Sequence, residues 1–207
     1  MNPTVSEWTV VAVGQWNPHI FSPEWVSRNV AHVDQLETEL AVGPVGTAVR
    51  YQTPNLSIIP SPDRLIIGCR NIEQATLEAM ESASRNTLQL LGHTPVRALG
   101  INFGFIENEP PHEMIRTFEL RDTGALSDAG HNVLSTEILR EFQLEQATLK
   151  LKMTLAQATI RFHFNFTHLV ASAQEAAHLL DGRVMRYRDH ALNMLDTVFD
   201  LQMEQVG

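Results

Sequence analysis

Residues 134–168 read LSTEILREFQLEQATLKLKMTLAQATIRFHFNFTH, and the alternation in this stretch decides the fold. Leu149, Leu151 and Met153 alternate with Lys150 and Lys152, while Ile160, Phe162, Phe164 and Phe166 alternate with Arg161, His163 and Asn165. A period of two places one apolar row beneath one polar row, which is the pattern of half-buried strands. A turn centred on Ala156-Gln157 pairs Leu149 with Phe164, Leu151 with Phe162 and Met153 with Ile160. A preceding turn centred on Gln146-Ala147 pairs Leu144 with Leu149, Phe142 with Leu151 and Glu141 with Lys152. The row Glu141, Lys152, Arg161 then reads as a charge ladder on the sheet surface rather than an anion site. Neither turn has Asn-Gly chemistry, so a longer loop shifts this register.

Upstream, Val96 to Ile106 (VRALGINFGFI) sets Leu99, Ile101, Phe103 and Phe105 on one face and Ala98, Gly100, Asn102 and Gly104 on the other. Alternate glycines weaken a strand, so they mark a close approach by another backbone, a helix or a ligand. Glu7 to Trp16 also reads as a strand, and Ser22-Pro23-Glu24 starts a helix running to about His32. After the turn Gly43-Pro44-Val45-Gly46, three short strands are expected at Thr47 to Gln52, Leu56 to Ile59 and Leu65 to Arg70, separated by proline-containing turns. Asn71 and Gln74 resemble a capping box for a helix over Ile72 to Leu91, with Gly92 as its left-handed stop. Glu113 to Leu120 fits helix or strand, and Asp122 to Gly130 reads as a loop. Downstream, Ser172 and Glu175 form a second capping box for a helix to about Leu180. Asp181-Gly182 interrupts it, and an amphipathic helix follows to about Gln205.

Both halves of the chain therefore show the same order: strand, short helix, meander, long helix. Residues 1–92 and 93–207 are expected to be two βαβββα-like halves of one compact unit. The fold class is α+β, an antiparallel sheet with long helices packed on one face.

The 207 residues carry 15 Lys plus Arg against 24 Asp plus Glu, a net charge of −9, and the pI is near 5.4. An acidic chain without a clustered basic patch argues against nucleic-acid binding. The apolar fraction of 43% supports a real core. No run approaches the ~20 apolar residues of a membrane span, and MNPTVSEWTV lacks the marks of a signal peptide. A cytoplasmic protein is expected. The one cysteine, Cys69, excludes an internal disulfide and a multi-thiolate metal site, and its apolar β setting makes it a buried small hydrophobe.

No phosphate loop, dinucleotide fingerprint, nucleophile elbow or HExxH motif is present. His163 and His168 are five residues apart on one strand, so they point to opposite faces and cannot share an ion. Catalytic residues, metals and cofactors are accordingly not assigned, and the chain leans away from being an enzyme. The candidate ligand-binding set is Asn102, Glu107, Glu109 and His112, because carboxylates and an imidazole gather where the glycine-lined strand ends. Such a set can hold a cation or move a proton, although an acidic protein also places acids on loops without purpose. Arg183, Arg186, Arg188 and His190 concentrate positive charge at the start of the last helix, where a solvated face is the default. Trp8, Trp16 and Trp25 form the candidate interface set; they are core by default and an interface where exposed.

The segment Asp63 to Phe105, with DRLIIGCRN and VRALGINFGF, together with the ending HALNMLDTVFDL, resembles a sporadic uncharacterised bacterial family of unknown function. The resemblance covers about half the chain. It implies a bacterial cytosolic protein and carries no activity onto any residue. The expected function is a non-catalytic protein–protein interaction or scaffold protein, self-associating as a homo-oligomer. The alternative is a small-molecule-binding protein or enzyme with a cavity between sheet and helices, rimmed by Asn102, Glu107, Glu109 and His112.

Overall fold

The computed structural model of the chain describes residues 1–43 and 46–204, with side chains described outside 41–48. Its strands are β1 (Asn2–Pro3), β2 (Thr9–Gly14), β3 (Glu37–Gly43), β4 (Gly46–Gln52), β5 (Leu56–Pro60), β6 (Arg64–Cys69), β7 (Val96–Glu107), β8 (Ser135–Gln143), β9 (Thr148–Ala156) and β10 (Thr159–Leu169). The helices are α1 (Pro23–Val26), α2 (Gln74–Leu90), α3 (His112–Arg116), α4 (Thr123–Asp128), α5 (Ala173–Leu179) and α6 (Arg183–Phe199). The architecture is α+β: one antiparallel sheet runs β3-β4-β5-β6-β2-β7-β10-β9-β8, and β1 pairs with the end of β7. No helix among the described residues is long and apolar enough to cross a membrane.

The alternation over 134–168 produces the two expected hairpins, each displaced by two residues. The second hairpin turns at Gln157-Ala158, so Leu149 faces Phe166, Leu151 faces Phe164 and Met153 faces Phe162. The first sets Phe142 opposite Leu149 and Glu141 opposite Lys150. Because the shift is even, every side chain keeps its face. The charge ladder changes partners instead: Lys150 pairs with Glu141 at 3.1 Å and Lys152 with Glu137 at 3.1 Å, and Arg161 faces Thr154.

The meander at β4, β5 and β6 forms as the proline punctuation implies, with Leu56 opposite Cys69 and Ile58 opposite Ile67. One further strand, β3, pairs with β4, placing Glu39 opposite Arg50. Pro44 and Val45, the centre of the turn expected between these two strands, lie outside the described residues.

Local chemistry explains most helix ends. Ser22 Oγ accepts from Trp25 N–H at 3.2 Å to start α1, which widens into a π turn over Ser27–Ala31 and stops at His32 with φ 51°. Ser172 Oγ accepts from Glu175 N–H at 3.1 Å, and the Glu175 carboxylate in turn accepts from Ala171 N–H at 2.7 Å. The Asn71 box does not form. Asn71 Oδ1 accepts from Glu73 N–H at 3.0 Å, an Asx turn, and α2 begins at Gln74. Gly92 is not left-handed; α2 closes through Leu91 at φ −102°. The last helix stops at Phe199 because Asp200 takes φ 54°, and Leu201 N–H folds back to Leu195 O at 3.0 Å. Helix α6 is therefore shorter than the amphipathic pattern implies, and Gln205 lies outside the described residues. Two short helices, α3 and α4, occupy the stretch read as an ambiguous segment and a loop; neither has a buried residue.

The core lies against one face of the sheet. Val10, Leu65, Ile67, Leu99, Ile101, Phe103, Phe162, Phe164 and Phe166 are buried there. Leu77, Met80 and Leu88 of α2 and Val184, Ala191 and Leu195 of α6 are buried as well. Phe199 meets Phe162 at 5.2 Å, and Tyr187 stacks on Phe166 at 4.3 Å with the planes 3° apart. Tyr187 Oη and His168 Nε2 lie 2.9 Å apart in this layer, and burial depresses the basicity of His168.

Candidate functional site

The other face of the sheet is polar, and a strap formed by residues 2–8 runs along the central strand β7. Thr4 N–H donates to Gly104 O at 2.8 Å, and the chain then makes one tight turn over Val5–Glu7. Glu7 lands directly over Gly104: a Cβ there would lie 2.7 Å from Glu7 Cβ. This close approach is what the glycine permits. The Glu7 carboxylate meets His163 Nδ1 at 3.1 Å, with each side chain 37% exposed. The His163 hydrogen bond, with Arg161 and Lys152 nearby, holds the Glu7 carboxyl below its ordinary range.

Beside this pair runs a row of short polar side chains: Thr9, Asn102 and Asn165 on directly opposed strand positions, and Thr167 two residues beyond Asn165 on β10. Asn102 Nδ2 donates to Thr9 Oγ1 at 3.0 Å, Asn165 Nδ2 donates to Asn102 Oδ1, and Thr167 Oγ1 donates to Asn165 Oδ1. Asn165 Nδ2 would lie 3.3 Å from a Cβ on Gly100, so the second glycine gives the amide its place. The strap, β4, β5, β6 and β2 then enclose a hollow of about 540 Å³ with Val11, Ile59 and Ile66 among its apolar lining and Arg50, Arg70, Asn102 and His163 among its polar lining. Arg70 Nη1 is bonded to Thr53 O at 2.8 Å, and Arg50 lies 3.6 Å from Glu39.

The structure does not bring the four candidate ligand-binding residues together. Asn102 is buried in the amide row. Glu107 sits at the far end of β7, where its carboxylate is 3.1 Å from the Met1 ammonium and accepts from Glu109 N–H at 2.9 Å. Burial works most strongly against its ionisation, yet the Glu109 and Asn108 backbone bonds and the Met1 ammonium hold its carboxyl below the ordinary range. Glu109 and His112 are exposed. Among the described residues no group of three His, Cys, Asp or Glu is placed to hold a metal ion.

The three tryptophans also separate. Trp8 is buried against Phe103 and Phe105, at 5.2 and 5.5 Å, with its Nε1 donating to Gly104 O at 2.8 Å. Trp16 is buried near Phe21, and Trp25, part-exposed, meets Phe21 at 5.2 Å. Cys69 is buried, and burial pushes its thiol up to about 12, which removes the thiolate a nucleophile needs.

A second exposed region lies at the opposite edge of the sheet. Among the described residues, five of the nine exposed large hydrophobic side chains, Leu120, Leu126, Val133, Leu134 and Leu139, fall within positions 120–139. This segment contains α4, which buries nothing, and leads into β8, the last strand of the sheet.

Reading by sequence missed Glu7, whose partner His163 is 156 positions away. The one usable signal was Gly104, a glycine where a strand needs none. Comparison with family models, with curated proteins and with solved structures finds no match.

Proposed function

We propose that this is a non-catalytic interaction protein that self-associates and presents its sheet to a partner. The observation that carries the reading is the run of exposed apolar side chains Leu120, Leu126, Val133, Leu134 and Leu139, of which Leu126 lies on α4, a helix without a buried residue, and Leu139 on the terminal strand β8. Exposed apolar surface concentrated in one place marks association surfaces. The frame we infer for it is one compact, cytoplasmic unit of two βαβββα halves, with the long helices on one face; the side-by-side placement of β2 and β7, each flanked by the last strand of its own meander, supports this. Sedimentation equilibrium across a wide concentration range tests the proposal. A concentration-dependent dimer is expected, and a monomer throughout overturns it.

A second reading, a small-molecule binder, draws on the hollow beside the Glu7–His163 pair. Its volume of about 540 Å³ is of the size that small ligands occupy. Under α2 the hollow lined by Val10, Ala12, Leu65, Ile67, Ser84 and Leu88 holds only about 10 Å³, whereas one of about 400 Å³ lies between the β8–β9 turn and α6. A ligand screen by thermal shift separates the two readings: a stabilising hit lost in Ile59→Arg supports a binder, and no hit leaves the interaction reading.

A further inference from the structure

Arg183, Arg186, Tyr187 and His190 recur along α6 at the spacing that sets side chains on one helix face. All four line the hollow of about 400 Å³ whose other side is the β8–β9 turn, with Leu144, Glu145 and Gln146. That volume lies at the lower end of what small ligands occupy.

The charges around this hollow do not balance. Two arginines close by are tightly paired: Arg85 lies 2.6 Å from Asp181, and Arg188 lies 2.6 Å from Asp189. Arg183 and Arg186 have no such partner among the described residues. Arg183 Nη2 donates to the neutral Gln146 side chain at 2.8 Å. Arg186 reaches the Glu145 carboxylate at 3.9 Å, where the Glu145 side chain is 86% exposed, a contact worth little. The Glu81 carboxylate caps the helix instead, accepting from Gly182 N–H and Val184 N–H, each at 2.8 Å. The end of the helix is therefore already closed, and the positive charge of the hollow comes from side chains. The neighbouring imidazoles register it. Burial first, and then the Arg186 charge, lower the basicity of His190. Burial first lowers that of His168, and the Arg183 charge adds to it against a bond from the Gln146 backbone. Cations in the first turn of a helix also oppose its dipole, so folding alone does not favour them here.

We propose that this hollow binds a small phosphate monoester, with the phosphate on Arg183 and Arg186 and the organic group against Leu144. A guanidinium matches phosphate oxygens through paired N–H donors. A monoester carries about −1.5 to −2 charge at neutral pH, enough to neutralise both arginines, whereas a monocarboxylate neutralises one. Half-buried Leu144 supplies an apolar wall that bare phosphate does not use. The hollow shares no lining residue with the exposed run at 120–139 or with the hollow beside Glu7, so the site stands whether or not the chain self-associates.

Isothermal titration calorimetry on the full chain at low salt, with phenyl phosphate as the probe, tests the site. Saturable one-site binding is expected, at least about tenfold tighter than that of inorganic phosphate or benzoate. Arg183→Gln and Arg186→Gln should each weaken it by at least about tenfold, the loss of one hydrogen bond between charged groups. Arg188→Gln removes the same charge from the same helix at an arginine that Asp189 already holds, and should leave binding within about twofold of the native chain. Arg186 is 62% exposed, so its variant keeps the fold, which circular dichroism and the melting temperature check. Absence of saturable binding, or equal losses in all three variants, overturns the site. Benzoate binding as tightly as phenyl phosphate overturns the choice of phosphate, and inorganic phosphate binding as tightly overturns the monoester.

Discussion

Glu7 and His163, 156 positions apart, meet at 3.1 Å above the bare α-carbon of Gly104. The contact ties the strap to β10 across the central strand β7, and it makes the glycine a requirement of packing. Gly104→Ala forces the strap outward and should lower stability by about 1–3 kcal/mol, the usual range for overpacking. Gly100→Ala, where the nearest atom is the Asn165 amide nitrogen at 3.3 Å, should cost clearly less. Urea melts of the two variants check the order.

The same pair predicts a pH dependence with a definite sign. The Glu7 carboxyl titrates lower in the folded chain than its ordinary 4.5, so its contribution is complete above about pH 4.5 and disappears as pH falls through the folded value. Glu7→Gln should therefore be less stable than the native protein at neutral pH and draw level with it in acid. Parallel melts from pH 7 to pH 3 measure the difference; a gap that widens on acidification contradicts the assignment.

Gln157 and Ala158 form the β9–β10 turn at φ 50° and 64°, both left-handed. Ala pays a steric cost there that glycine does not. Ala158→Gly should raise stability by up to about 1 kcal/mol, read as an upward shift in melting temperature, with the hairpin register unchanged.

This turn also explains what the sequence could and could not reveal. Parity along Leu149–Phe166 was legible because side chains alternate whatever the loop does. Register was not, since the residues that take positive φ are Gln and Ala, which carry no turn signature, and the error of two residues left the faces intact. Strand β3 escaped notice because ETELAVG carries its exposed Leu40 beside acids and lacks an apolar row. Among the site residues, Asn102 was reachable from the glycine alternation around it. Glu7 was not, because its meaning depends on a contact made across the chain, and the local crowding of Glu107, Glu109 and His112 proved to be proximity in sequence without convergence in space.

Cys69, with its thiol raised to about 12 by burial, should resist a water-soluble disulfide reagent in the native state at pH 8. Reaction should appear only across the unfolding transition in urea. Rapid labelling of native protein would show that β6 opens far more easily than its burial implies.

Amide hydrogen exchange over residues 120–139, read at rising protein concentration, tests the central claim most directly. Self-association through this exposed apolar run predicts protection that grows with concentration, and exchange that stays the same at every concentration would contradict it.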